Sequence, residues 1–165
     1  VSGKIEIFSE KIESFRYKEC PGHPIWIEPD EWLGSKNIYN FPFHLVSPQP
    51  SDKLHSQLEC VIADEPNERP APVLINKNDA KKFKIVNGEI IKIYNNRGSC
   101  LAKSTLTNKI KENVLSLPTG AWFETDNNGL EKQGNPNVLT FDRGTSRLGQ
   151  GPSAHTTLVN IQKIN

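Results

Sequence analysis

Short runs in which apolar and polar residues alternate recur along this chain of 165 residues. A period of two residues is typical of a strand with one buried face, and proline ends such a strand because it has no N–H to donate to the ladder. The alternation predicts three strands, in residues 3–10, in residues 41–48 up to Pro48, and in residues 113–122 up to Pro118.

The segment from residue 73 to residue 107 has the clearest pattern. A short strand at residues 73–75 precedes Asn76, which can cap a helix, and Asp79 follows three residues later as in a capping box. The helix ends at the sequence VNG, residues 86–88, because asparagine and glycine suit a turn with positive φ. Two strands joined by a tight turn complete the pattern: residues 89–95 and 99–107.

Two proline-rich segments interrupt the strands. Residues 20–32 contain three prolines and two tryptophans, which favours an ordered but irregular arm, and residues 63–72 form the most loop-like part of the chain. We therefore predict an N-terminal strand and arm over residues 1–40 and a barrel domain over residues 41–165. Short strands with turns at close intervals and one or two short helices indicate a mainly β protein with a closed or nearly closed barrel.

The composition is that of an ordinary globular domain, with 35% hydrophobic and 24% charged residues. The formal net charge of +1 provides no strong field for nucleic acid, although a single phosphate group needs only a few donors. No apolar run is long enough to span a bilayer, and the N-terminus lacks the pattern of a signal peptide. Because the sequence contains no Met, even at position 1, we expect it to be part of a longer protein.

The residues that usually carry catalysis or hold metals are dispersed along the chain. Neither the cysteines nor the histidines have the close spacings of a zinc site, and the cysteines are too few for a disulfide scaffold. These residues are Cys20, Cys60, Cys100, His23, His44, His55 and His155. The chain has no Gly-x-Ser-x-Gly elbow and no phosphate-binding P-loop. The pattern therefore predicts no catalytic and no metal-ligating residue.

Two polar loops follow predicted strands and offer hydrogen-bonding groups to a ligand. Residues 47–59 combine hydroxyl, amide, imidazole and ammonium groups, which suit a phosphate or a polar heterocycle; an ordinary solvated loop is the alternative. The candidates in this loop are Ser47, Gln49, Lys53, His55 and Ser56. Residues 118–123 add Gly120 at a strand end and the flat indole of Trp122, for which core packing is the alternative.

A third polar segment covers residues 134–161. Asn135 and Asn137 flank a proline that stiffens their presentation, and their amides suit a ring with donors and acceptors; an ordinary Asx turn is the alternative. Residues 144–155, GTSRLGQGPSAH, contain three glycines, which favour tight turns or the close approach of a ligand.

Seven segments, in this order and spanning nearly the whole chain, resemble one protein family. It is the dimethyl sulfoxide reductase family of molybdenum enzymes, and the likeness is to its C-terminal dinucleotide-binding domain in the biotin sulfoxide and trimethylamine N-oxide reductase branch. The segments are SGKIEIFSE, CPGHPIWIEP, FPFHLVSPQPSDKLHSQLE, INKNDA, NGEIIKIYNNRG, LPTGAW and GNPNVLTFDRGTSRLGQGPSAHTTLV.

The resemblance implies a double-psi β-barrel of the aspartate decarboxylase-like kind. It also implies that the domain helps to bind a bis-(molybdopterin guanine dinucleotide) molybdenum cofactor, while the metal ligand and the funnel for the S-oxide or N-oxide substrate lie in other domains. The isolated domain is then expected to lack both cofactor and reductase activity. Members of this branch occur in the periplasm and in the cytoplasm, so the compartment stays open, as does the oligomeric state.

The resemblance also implies roles for the polar residues named above. Five would face one dinucleotide: Ser47, Gln49, Lys53, His55 and Ser56. Four would face the pterin and the phosphates: Asn135, Asn137, Gly149 and Gln150. Gly120 and Trp122 are further candidates, and Arg147 either binds the ligand or pairs with Asp142.

Two other functions stay open from the sequence alone. The aspartate decarboxylase-like barrel also occurs in an enzyme that cleaves itself at a Gly-Ser bond, and Gly98-Ser99 lies in a predicted turn; an ordinary hairpin is the alternative. A non-catalytic interaction module is the other, although such a module favours an exposed apolar groove over loops rich in Asn, Gln, Ser and Gly.

Overall fold

The computed structural model of the chain describes residues 3–59 and 69–164. The strands in this part of the chain are β1 (Phe43–Val46), β2 (Pro72–Asn76), β3 (Ile90–Tyr94), β4 (Ser99–Thr107), β5 (Val114–Ser116) and β6 (Thr157–Lys163). The α-helices are α1 (Glu10–Ser14) and α2 (Lys77–Phe83), and Lys36–Tyr39 and Pro136–Leu139 form 3₁₀-helices. The strands close into one barrel in the order β1-β5-β2-β4-β3-β6.

The strand pairing has an internal twofold relation. β1 pairs in parallel with β5, and β4 pairs in parallel with β2. The antiparallel pairs are β1–β6, β2–β5, β3–β4 and β3–β6. Exchanging β1, β2 and β3 for β4, β5 and β6 therefore reproduces every pairing of the described strands. This is the double-psi arrangement, and the predicted fold class, a mainly β barrel with short helices, is confirmed.

The barrel is filled by side chains that alternate along the strands. In β3, Ile91 and Ile93 are fully buried between half-buried neighbours, and Cys100 and Ala102 alternate in the same way in β4. The other strands contribute further fully buried side chains: Leu45, Val73, Ile75, Leu115 and Leu158. Strands predicted from the same alternation are confirmed within residues 41–48, 73–75, 89–95, 99–107 and 113–122.

Helix α2 begins as predicted, but one of its expected contacts differs. The Asn76 side chain caps the helix by accepting the backbone N–H of Asn78 at 2.8 Å. Asp79 does not close a capping box; its buried carboxylate accepts the backbone N–H of Asn113 at 2.7 Å. The helix ends at Lys84, which has a left-handed φ of 55°. The carboxylate therefore joins α2 to the segment before β5, and it also pairs with Lys82 one turn along the helix at 3.2 Å.

The strand predicted over residues 3–10 is wrong. Ile5 and Ile7 are 92% and 72% exposed, and no described strand pairs with this segment. The chain instead enters α1 at Glu10, where the Ser9 hydroxyl accepts the backbone N–H of Ile12 at 3.3 Å. Alternation favours a strand only where a neighbouring backbone completes the ladder, and here a capped helix follows at once.

The chain divides into two compact units. One contains the described residues up to Pro29 together with Asp142–Ser153, and the other contains Asp30–Phe141 with the residues from Ala154 onward. The domain boundary after residue 40 stays a prediction. Of the loop predicted over residues 63–72, residues 63–68 lie outside the described residues, as does Cys60. No helix in the described residues is long and apolar enough to cross a bilayer.

Candidate functional site

Parts of the three polar segments meet around one cavity in the barrel unit. The cavity has a volume of about 450 Å³, and its lining residues come from the loop after β1, from the loop after β5 and from the turn that begins the second 3₁₀-helix. They are His55, Ser56, Thr119–Phe123, Asn135 and Asn137. Six of the residues predicted to bind a ligand are thus neighbours of one cavity, although they come from three segments that are distant in sequence.

Gly120 brings two walls of this cavity into contact. Its φ of +99° favours glycine, and a Cβ atom built on it would overlap the carbonyl oxygen of His55. Hydrogen bonds hold the same two segments together: the Trp122 indole Nε1 donates to the carbonyl oxygen of Ser56 at 3.2 Å, and the Thr119 N–H donates to that of Pro48 at 3.0 Å. The loop after β1 is therefore fixed on the end of β5 by backbone groups.

The two asparagines of the GNPN turn differ in what they contact. The buried Asn135 side chain is fully used within the protein, because its Nδ2 donates to the carbonyl oxygen of Ala121 at 2.9 Å and its Oδ1 accepts the N–H of Asn137 at 3.0 Å. The exposed amide of Asn137 and the exposed imidazole of His55 make no hydrogen bond within the described residues. Asn135 therefore shapes the cavity, while Asn137 and His55 can receive a ligand.

Lys53 forms an ion pair with a buried carboxylate. Its ammonium pairs with Glu59, which is fully buried and also pairs with Arg69. Burial, followed by the positive charge of Arg69, lowers the pKa of Lys53, and the charge of Asp52 opposes this shift. The Glu59 carboxylate also favours the charged ammonium. This cation, which is predicted to contact the ligand, is thus paired with a protein carboxylate.

The other two predicted residues of this loop lie outside the cavity lining. The Gln49 side chain donates to the backbone carbonyl of Lys53 at 3.0 Å and so stabilises the loop internally. Ser47 is buried, and its hydroxyl has no hydrogen-bond partner in the described part of the chain. A buried hydroxyl without a partner is energetically costly, so Ser47 has unused capacity to bind a polar group.

Gly149 and Gln150 belong to the other compact unit, where the loop over residues 142–153 closes on itself. The Gly149 N–H donates to the Ser146 hydroxyl at 2.8 Å, and the Gln150 amide donates to the Ser146 carbonyl oxygen at 2.8 Å. Arg147 pairs with Glu19 at 2.9 Å, and no pairing with Asp142 is seen in the described residues. A Cβ atom at Gly149 would make only ordinary contacts, the nearest at 3.6 Å from the Ser146 hydroxyl.

Sequence patterns missed the buried carboxylates of the barrel unit. Glu59 and Glu131 are fully buried, and Glu31, which is 7% exposed, pairs with Arg97 through bonds of 2.7 and 2.9 Å. A glutamate in a polar segment looks like a solvated residue, since its burial depends on contacts distant in sequence. Only Glu131 has a local indication of its role. It lies a few residues before a Gly-Asn-Pro turn, whose backbone N–H groups need acceptors.

A second, smaller cavity is lined by the same aromatic residues. It has a volume of about 260 Å³ and shares Trp122 and Phe123 with the first cavity; its other lining residues are Glu59, Arg69, Glu124 and Gln133. The first cavity has a neutral lining and the second a charged one. Across residues 3–59 and 69–164, no group of three or more His, Cys, Asp or Glu side chains is arranged to hold a metal ion.

Residues 43–158 match the family described as the molydopterin dinucleotide binding domain. The chain belongs to this family. The curated relatives that resemble this molybdopterin dinucleotide-binding domain include biotin sulfoxide reductase of Cereibacter sphaeroides, 43% identical over 98% of this chain and 22% of the relative. Trimethylamine-N-oxide reductase 1 of Escherichia coli K12 is 42% identical over 99% of this chain and 20% of the relative. The chain thus spans about a fifth of the length of these relatives.

A solved structure with the same fold as the molybdopterin dinucleotide-binding domain is acetylene hydratase from Pelobacter acetylenicus. It superposes with a TM-score of 0.77 over 99% of this chain and 24% of the hydratase, at 20% sequence identity. At that identity the likeness shows the fold alone.

The donor set of the larger cavity fits the planar part of molybdopterin. His55 and Asn137 offer uncommitted donors and acceptors, and Trp122 offers a flat aromatic surface. A pterin is a planar heterocycle with donors and acceptors on its edge, so neutral groups of this kind match it better than a phosphate. The buried Ser47 hydroxyl is one further unused polar group in the same loop.

Proposed function

We propose that this domain binds the guanine dinucleotide form of molybdopterin. We further propose that it does so within a molybdenum-dependent reductase of S-oxides or N-oxides. The observation that carries the proposal is the cavity between His55, Trp122 and Asn137, because its lining comes from separate segments of a chain that belongs to the molybdopterin dinucleotide-binding family. The similarity to biotin sulfoxide and trimethylamine-N-oxide reductases supports the type of reaction.

In this proposal the cavity residues differ in their roles. His55, Ser56 and Asn137 hydrogen-bond to the edge of the bound ring system, and Trp122 packs against a face of it. Gly120 acts indirectly, by allowing the loop over residues 47–59 to approach the loop after β5. Asn135 likewise acts by holding the turn on which Asn137 stands.

The remaining predicted residues are assigned to the dinucleotide and its phosphates. They are Ser47, Gln49, Lys53, Gly149 and Gln150. Lys53 can serve a phosphate only while it shares its charge with Glu59, since the two are paired. We therefore assign most phosphate contacts to backbone and hydroxyl donors, which bind anions without a full positive charge.

The molybdenum cofactor, when bound, supplies the two-electron redox chemistry that removes oxygen from an S-oxide or N-oxide. The residues of this chain bind and orient the cofactor and keep water from part of it. We therefore expect the isolated domain to show no reductase activity, and turnover of an S-oxide or N-oxide by the isolated chain with added cofactor would contradict this.

The experiment compares His55→Ala and Asn137→Ala in the full-length protein with Asn128→Ala, a control on an exposed turn outside both cavities. Molybdenum and the guanine nucleotide released by acid are measured per folded protein. We expect the cofactor content of both cavity variants to fall about tenfold, because each variant loses hydrogen bonds to a buried ligand. The cofactor content of the control should not change.

Two results would count against the proposal. Wild-type protein that releases no guanine nucleotide would overturn the guanine dinucleotide form. Cofactor contents of His55→Ala and Asn137→Ala equal to that of the control would overturn the assignment of the cavity.

A further inference from the structure

Glu131 is a buried carboxylate at the junction of the two cavity walls. Its side chain is fully buried, and it forms no ion pair within the described residues. The carboxylate instead accepts backbone N–H groups. One oxygen accepts from Gln133 at 2.8 Å and from Glu124 at 3.4 Å, and the other accepts from Gly134 at 2.8 Å and from Asn135 at 2.7 Å.

These donors belong to the two chain segments that carry the walls of the larger cavity. Glu124 directly follows Trp122 and Phe123, which line the cavity on one side. Gln133, Gly134 and Asn135 lead into Asn137, which lines it on the other. One carboxylate therefore ties the aromatic wall to the amide wall, and its position sets the spacing between them.

The barrel fixes the position of the carboxylate itself. The Glu131 N–H donates to the carbonyl oxygen of Ser99 at 3.0 Å, and the Leu101 N–H donates to that of Glu131 at 2.8 Å. Both partners belong to β4, which pairs with its neighbours along most of its length. The Glu131 side chain thus transfers the rigidity of β4 to two irregular segments.

We infer that Glu131 is the positioning residue of the cofactor site: by binding N–H groups from both walls, it holds Trp122 and Asn137 at the spacing that the pterin requires. The inference rests on the proposed function, because it assigns the cavity to the cofactor. Glu131 itself does not touch the cofactor, since it lines neither cavity.

The chemistry of the site requires a carboxylate at this position. Both oxygens of a carboxylate accept hydrogen bonds, and at Glu131 both are used by N–H donors. A glutamine of the same size would turn an NH₂ group towards N–H donors that have no other acceptor in the described part of the chain. A buried donor facing a donor is costly, so the walls would separate.

The experiment uses the full-length protein and compares Glu131→Gln with Asp79→Asn. Asp79 is a matched control, because it is also buried and accepts a backbone N–H but lies on α2 and lines neither cavity. The measurements are cofactor content per folded protein, the rate at which cofactor leaves the folded protein, and the midpoint of thermal unfolding. We expect both variants to lower the midpoint and Glu131→Gln alone to lower cofactor content, by about tenfold.

Glu131→Asp tests the same point where Glu131→Gln does not accumulate. Aspartate keeps the charge, but its side chain is shorter by one methylene group. We expect the cofactor content of this variant to lie between those of the wild type and Glu131→Gln. It should also lie below that of Asp79→Asn. Cofactor contents of the Glu131 variants equal to that of Asp79→Asn would overturn the inference and leave the proposed function intact. Wild-type protein without cofactor would overturn both.

Discussion

The two loops that the sequence assigns to one dinucleotide are built in opposite ways. Residues 47–59 are held from outside the loop, by the buried Glu59 with its two cations and by the backbone contact at Gly120. Residues 142–153 are held mainly from within, by hydrogen bonds between residues three to six positions apart, such as Gly149 to Ser146 and Thr145 to Gly151. The shape of the first loop is therefore set by the barrel unit, whereas the second loop supports its own turn.

The difference between the two loops indicates at which positions a binding residue can be substituted without loss of the fold. In the first loop a substitution of Lys53 or Glu59 alters a buried network, so it affects stability and binding together. In the second loop the side chains are exposed, so a substitution there affects binding with little effect on stability.

The largest effect is expected from Glu59→Gln. The substitution leaves Lys53 and Arg69 buried without their counter-charge, and we expect the free energy of unfolding to fall by about 4 kcal/mol. Urea unfolding followed by tryptophan fluorescence measures the change. Arg147→Ala is the control in the second loop; it breaks the exposed pair with Glu19 and should cost about 0.5 kcal/mol. Equal costs for the two variants would contradict the contrast between the loops.

A pair of glycine substitutions gives the next largest effect. Gly120→Ala places a methyl group against the His55 carbonyl oxygen in a backbone of φ +99°, and we expect a loss of about 3 kcal/mol. Gly149→Ala meets only ordinary contacts, so its effect should stay within about 0.5 kcal/mol. Thermal unfolding of both variants checks the difference, and a costly Gly149→Ala would show that the second loop is also held by close packing.

The smallest effect on stability is expected from Ser47→Ala. The Ser47 hydroxyl has no partner in the described residues, so its removal should not lower the free energy of unfolding. Ser104→Ala is the control, because the buried Ser104 hydroxyl donates to the Val86 carbonyl oxygen at 2.7 Å and its loss should cost about 1 kcal/mol. In the full-length protein, Ser47→Ala should still reduce cofactor content; an unchanged content would remove Ser47 from the site.

The sequence predicted the barrel better than the site. Strand β3 is visible in the sequence because Ile91 and Ile93 alternate with polar residues, and this local pattern is what burial on one face requires. Strand β6 was not predicted, because residues 157–163 directly follow a glycine-rich loop whose pattern indicates ligand binding. The segment around Ile5 has the same alternation but no neighbour to pair with, so the pattern alone gave a wrong strand.

The site was predicted only as a set of polar residues. Which of them are uncommitted depends on contacts across the fold: Asn135 and Asn137 look equivalent in sequence, yet one amide is used internally and the other is open. The burial of Glu59 and Glu131 could not be seen either, because it depends on the closed barrel, although Lys53 and the N–H groups of residues 133–135 are close to them in sequence. The ligand contacts themselves stay predictions.

The twofold relation of the strands has a consequence for how such a domain diversifies. The cavity residues all lie in two connections, between β1 and β2 and between β5 and β6. The connections related to these by the exchange of halves, between β4 and β5 and between β2 and β3, are shorter and contribute no lining residue. Each half of the symmetric frame thus carries one long connection where the other half has a shorter one. Mutations in the long connections can therefore change which ligand is bound, while the pairing of the strands stays the same.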